Sequence, residues 1–146
     1  MSSLNPKGYT LIEMSMVIFI TAIILVSGVS YVSIITPRRL EAETRKMIAE
    51  LCWVRELAVS RHQNYTLTFD TAANSYIIYN ESGGEIKRDN LTIDLISVTD
   101  SSGSPASQAT FYYPKGTAQD RIINLGYGGR SQRVRLFPET GYARME

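Results

Sequence analysis

Lys7-Gly8-Tyr9-Thr10-Leu11-Ile12-Glu13, followed by MSMVIFITAIILVSGVSYVSII over residues 14–35, is the stretch that decides how this chain folds. Residues 14–35 are 22 positions without a formal charge. As a helix rising about 1.5 Å per residue they reach roughly 33 Å, close to the hydrocarbon thickness of a bilayer. Glu13 sits about four residues inside the apolar end that begins at Tyr9. An unpaired carboxylate there is costly, so it calls for a partner or a function. An ordinary secretory signal fits poorly, because its apolar segment is about 7–15 residues long and is followed by a small-residue cleavage site.

Outside this stretch the composition is that of one small domain. The chain has 146 residues with a formal net charge of +1, and loss of residues 1–8 with Lys7 brings that to zero. Net charge therefore points to no class of partner. Cys52 is the single cysteine, so no intrachain disulfide forms. Nine tyrosines and four phenylalanines suit a β-rich domain.

Pro37 closes the apolar run and predicts a kink or break at Thr36–Pro37. Gly28, with Ser27 and Ser30, is a second soft point. Over residues 38–61 Leu40, Met47, Ile48, Leu51, Val54 and Ala58 recur at helical spacing and form an apolar stripe. Glu41 and Arg45 are an i,i+4 pair in the favourable order on the wet face. Cys52 and Trp53 adjoin the stripe and are expected to pack against a sheet.

After Arg61 the period changes from helical to alternating. Tyr65, Leu67 and Phe69 alternate with Thr66 and Thr68, and residues 76–79 return after a turn as the second arm of a hairpin. Residues 91–98 and 110–113 read as further strands, with residues 100–107 an exposed loop between them. Residues 121–125, a turn at 126–129 and residues 132–137 give a last hairpin, followed by a short piece at 142–145. The sum is an α+β chain: a long N-terminal helix, then an antiparallel β domain of about six or seven strands.

The leader ending in Gly8, the aromatic Tyr9, the acid Glu13 and the long apolar helix, in that order, resemble the class III signal of type IV pilins and pseudopilins. Leu51-Cys-Trp-Val-Arg55-Glu-Leu-Ala58 with Tyr65-Thr-Leu-Thr-Phe69, then Phe111-Tyr-Tyr-Pro-Lys-Gly116 and Val134-Arg-Leu-Phe-Pro138-Glu-Thr140-Gly141-Tyr142, resemble the domain of GspH/FimT-type minor pseudopilins. The resemblance implies a pilin-like fold with a leader over 1–8, a transmembrane helix over 9–36, an amphipathic helix over 37–62 and a periplasmic β domain over 63–146. It implies cleavage between Gly8 and Tyr9 by a membrane-embedded prepilin peptidase, and N-methylation at Tyr9, where phenylalanine is commoner. It gives Glu13 an assembly role: pairing with the new amine of a neighbouring subunit and setting axial register. The implied partners are other pilins or pseudopilins in a filament, an inner-membrane assembly platform and membrane lipid. The implied location is the bacterial inner membrane, single-pass, with cytoplasmic leader and periplasmic domain. Lys and Arg counts do not themselves fix that topology, because Lys7 lies on one side of the apolar run and Arg38 and Arg39 on the other. A proline near Ser30, present in many pilins, is absent.

Two other classes are weighed on residues. Arg121, Arg130, Arg133, Arg135 and Arg144 against Glu139 and Glu146 leave residues 121–146 at +3. Some DNA-uptake members of the family bind DNA through a basic Gly-Arg-x-Arg near their C-terminus. The matching Gly141-Tyr142-Ala143-Arg144 has a tyrosine in place of the first arginine. Phosphate contacts by Arg130, Arg133 and Arg144 are the alternative function, with nucleic acid as partner. An enzyme fares worst. His62 is the only histidine, so a histidine-based metal site is excluded, no cofactor is implied, and a dyad would need Cys52, ten residues away. Gly126-Tyr-Gly-Gly129 is neither a Walker loop nor a dinucleotide fingerprint.

Overall fold

The structure, a computed structural model, describes residues 10–146, and for residues 27–37 the backbone alone. The processing positions Gly8 and Tyr9 lie outside the described residues. A 51-residue helix, α1 (Leu11–Arg61), is followed by β1 (Tyr65–Asp70), β2 (Ser75–Asn80), β3 (Glu85–Asn90), β4 (Asp94–Thr99), β5 (Gln108–Tyr112), β6 (Thr117–Ala118), β7 (Arg121–Tyr127), β8 (Arg130–Leu136) and β9 (Ala143–Met145). The chain divides into two compact units at Ile35/Thr36.

In the first unit the described apolar side chains of α1 are exposed, among them Leu11, Ile12, Ile18 and Phe19. Thr10 caps this end: its Oγ1 accepts the Glu13 N–H at 3.3 Å and its carbonyl accepts the Met14 N–H at 3.2 Å. Among the described residues no helix is long and apolar enough to cross a membrane. The span expected over residues 9–36 lies partly outside the described residues.

The second unit is built on two antiparallel sheets, ordered β3-β2-β1-β5-β6 and β4-β7-β8-β9. Leu40, Met47, Leu51, Val54 and Ala58 of α1 are buried in one core with Leu67, Tyr76, Ile78 and Phe111 of the first sheet and Ile123, Leu125, Val134 and Leu136 of the second. Those α1 positions are the stripe read from the sequence, joined by Thr44, whose hydroxyl donates to the Leu40 carbonyl at 2.7 Å and so enters the core satisfied. The helix ends in a Schellman closure: His62 takes φ 57° and the Gln63 N–H reaches back to the Ala58 carbonyl at 3.4 Å.

Four sequence expectations change here. Among the described residues there are nine strands rather than about six or seven. The additional ones are β3 and β6: Glu-Ile-Lys-Arg-Asp-Asn shows no apolar alternation, and Thr117-Ala118 is too short to show any. Helix α1 continues through Pro37, so of the kink or break expected at Thr36–Pro37 the break does not occur. Trp53 is only partly covered by the sheet: it is 40% exposed, with the Lys87 ammonium of β3 lying 5.6 Å from its ring centroid. Finally, the β7–β8 turn contracts to Gly128-Gly129, both at positive φ, the conformation a two-residue hairpin needs.

Candidate functional site

Glu13 lies in the first turn of α1, where the helix dipole favours an acid. It is exposed, and among the described residues it makes no ion pair. Thr10 and Glu13 together have the Thr-x-x-Glu spacing of a helix start, a signal that the sequence carries in plain form.

The C-terminal arginines do not form a single group. On β8, Val134 and Leu136 point to the core, so Arg133 and Arg135 face away from it. Arg144 on β9 sits directly opposite Arg135 and shares that outer face. Glu146 intrudes among them: its backbone N–H donates to the Arg133 carbonyl at 2.8 Å and its carboxylate lies 3.7 Å from Arg135. Arg133 also donates to Asn124 Oδ1 at 3.4 Å. Arg130 is at the tip of the hairpin, opposite Tyr127 and on the other face. Arg121 is held in place by the Gln108 and Asp120 carbonyls and by Gln119 Oε1. Of Arg130, Arg133 and Arg144, the fold thus brings the last two to one surface and leaves the first apart.

The three later stretches singled out in the sequence meet at Arg55, whose role sequence reading alone does not reveal. Arg55 Nε donates to the Thr140 carbonyl at 2.8 Å, Nη1 reaches Glu56 at 2.7 Å, and the guanidinium lies 4.3 Å from the Tyr142 ring centroid. A Cβ at Gly116 (φ 66°) would press on Arg55 Cγ and Val59 Cγ2, and one at Gly141 (φ 65°) would collide with the Gly116 carbonyl oxygen. The Tyr113–Pro114 peptide between these segments is cis. This constellation ties the β5–β6 and β8–β9 turns to the helix.

A second tie joins α1 to the edge strand β3 and to the segment that follows it. Lys46 pairs with Asp89 at 2.9 Å, Lys87 pairs with Glu50, and Thr92 Oγ1 donates to Glu43 at 2.7 Å. The Lys46 hydrogen bond holds the Asp89 carboxyl below its usual range, and the same bond raises Lys46. Burial beside these acids pushes the Tyr76 phenol upward.

For chemistry the described residues offer little. Cys52 is a free, half-buried thiol, and the His62 ring leans on Tyr113 with centroids 4.9 Å apart. Among the described residues no group of three or more His, Cys, Asp or Glu is placed to hold a metal ion.

No family model matches this sequence, and no curated protein does. Solved structures do match. The minor pseudopilin EpsH of the type 2 secretion system of Vibrio cholerae aligns with a TM-score of 0.60 at 14% identity, covering 74% of this chain and 96% of that one. A second structure of EpsH gives 0.62 at 14% identity, with 75% and 96% covered. The type IV minor pilin FimU of Pseudomonas aeruginosa gives 0.58 at 16% identity, with 75% and 90% covered. At such identities the likeness concerns the fold, and this chain has a pilin-like α+β fold.

Proposed function

We propose that this chain is a minor pilin or pseudopilin subunit of a pilus or secretion-type filament, of GspH/FimT type, acting in filament initiation or at the tip. The observation that carries the reading is a coincidence within one polypeptide. A pilin-like fold, shared with a minor pseudopilin and a minor pilin, follows a leader whose Gly8-Tyr9 and Glu13 have the order of a prepilin signal. In this reading prepilin peptidase cuts between Gly8 and Tyr9, Tyr9 is methylated, and residues 9–36 anchor the chain in the inner membrane with the β domain in the periplasm. Other subunits, the assembly platform and lipid are its partners. The chain is a structural component, not an enzyme.

Glu13 carries the assembly step. A cationic amine at Tyr9 of a neighbouring subunit would pair with its carboxylate, and a buried pair of this kind serves better as a register device than as a stabiliser. Glu13→Ala is expected to insert in the membrane and to be cut after Gly8 like the wild type. Its recovery in sheared filaments should fall tenfold or more, the effect of about 1.4 kcal/mol at each interface. Unchanged incorporation removes the register role. A mature chain isolated with residues 1–8 attached and never found in a polymer removes the whole reading.

A second reading is favoured by one observation, the shared outer face of Arg133, Arg135 and Arg144. Phosphate neutralisation there predicts a duplex-DNA gel shift that weakens between about 50 and 200 mM salt, by roughly three- to fourfold for each phosphate neutralised. A shift indifferent to Arg133→Gln and Arg144→Gln eliminates it.

A further inference from the structure

Arg38 and Arg39 begin three positions beyond Ile35, on the side of the apolar run where basic residues argue against the proposed topology. The fold gives them company. Arg39 Nη1 donates to the Tyr127 hydroxyl at 3.2 Å, which seats the tip of the β7–β8 hairpin at the end where the chain enters the second unit. Ile123 and Leu125 point to the core, so Tyr127, two residues on, lies on the same face of β7. Arg130 is directly opposite Tyr127 and therefore extends from that face too. Arg38, Arg39 and Arg130 are all exposed, and none forms an ion pair among the described residues.

The acids nearby are otherwise engaged. Glu41 is paired with Arg45 at 2.7 Å, and Glu43 accepts the Thr92 hydroxyl. Asp94 sits opposite Gly126, on the outer face of the sheet, away from Arg130. Arg39 and Arg130 thus share Tyr127 as a neighbour, one through its hydroxyl and one across the ladder, Arg38 precedes Arg39 in the chain, and none of these acids forms an ion pair with them.

We propose that Arg38, Arg39 and Arg130 form a basic collar that engages anionic phospholipid headgroups of the membrane holding residues 14–35. The proposal rests on the membrane reading above. It explains why arginines follow the apolar run: a guanidinium forks onto phosphate oxygens, and each basic group near an anionic surface is favourable. It also gives the Arg39–Tyr127 bond a consequence, since that bond brings a residue from 91 positions away to the same level as Arg39.

The test uses the full chain reconstituted in phosphatidylcholine vesicles carrying trace spin-labelled phosphatidylcholine or phosphatidylglycerol. The motionally restricted component reports which lipid borders the protein. Wild type is expected to prefer the anionic label roughly fivefold or more. Arg130→Gln alone should reduce that preference at least by half, and the triple Arg38→Gln, Arg39→Gln, Arg130→Gln variant should abolish it. Arg133→Gln, on the opposite face of the sheet, should leave it intact. No preference in the wild type, no effect of Arg130→Gln, or an equal loss in Arg133→Gln overturns the collar. Salt-sensitive retention of duplex DNA by the same three arginines, with no lipid preference, overturns it too, in favour of a nucleic-acid surface. Failure to float with the vesicles overturns the membrane reading itself, whereas flotation without headgroup preference overturns the collar alone.

Discussion

Between Leu11 and Val26 the large apolar side chains of α1 range from 52% exposed at Ile23 to 88% at Leu11, whereas Leu40, Met47, Leu51, Val54 and Ala58 are at most 3% exposed. Both stretches are α-helical, and both are rich in Leu, Ile, Val and Met. The later one repeats its apolar residues on one side, and two sheets supply the surface that covers it. The earlier one is apolar on every side, which no single sheet face can cover. The difference teaches that helicity and greasiness do not fix where a helix belongs; angular distribution does. A stripe finds its partner within the same chain, while a full apolar circumference asks for a surrounding medium or a bundle.

The comparison breaks most visibly at its buried side. Leu51→Ala should destabilise the second unit by about 2–5 kcal/mol, while Ile18→Ala should change its stability by less than about 0.5 kcal/mol. Denaturant unfolding followed by Trp53 fluorescence measures both. Equal losses would mean that the two stretches are not independent.

A smaller effect tests the Arg55 constellation, which fixes the buried stretch to the strands. Gly141→Ala places a methyl against the Gly116 carbonyl and forces a side chain to φ 65°. A loss of about 2–4 kcal/mol is expected. Gly129→Ala, at φ 78° with open space around it, should cost only about 1–2 kcal/mol. The gap between the two, read from thermal melts, isolates packing from backbone strain, and no gap would mean that the turn relaxes freely.

The smallest expected effect concerns the polar tie between α1 and β3. Asp89 is depressed by Lys46, so its contribution holds above the usual aspartate value of about 3.9 and fades as pH falls through the lower folded value. Lys46 is raised by Asp89, so its contribution holds below about 10.4 and fades as pH rises through the higher folded value. Lys46→Met should therefore cost about half a kcal/mol between these limits, given the exposure of both groups, and nothing in strong acid. A pH-independent difference would assign the loss to packing of the lysine stem.

The sequence was most legible where burial leaves a periodic trace. The α1 stripe, β1, the β1–β2 hairpin and the exposed loop about Asp100 stand where alternation and turn residues put them. Asp100 Oδ1 shows why the loop holds: it accepts the Ser102 and Ser104 N–H groups at 2.9 Å each. It was least legible where pairing is polar and joins distant segments. β3 carries Ile86 at 44% exposure and no buried apolar residue, and its place depends on β2 and on Lys46 and Glu50 of a distant helix. Arg55 reads as one more wet helix residue until Thr140 and Tyr142 are brought back over it.

What the sequence determined by itself was a long helix followed by strands, the apolar stretch ahead of a β-rich domain, and the apolar residues of α1 that enter the core, because each follows from local period and composition. The tertiary structure alone decided the division into two sheets, the meeting of Gly116, Thr140, Gly141 and Tyr142 at Arg55, and which arginines share a face. Those depend on strand register, where a one-residue slip moves every side chain to the opposite side, and on contacts between segments far apart in the chain.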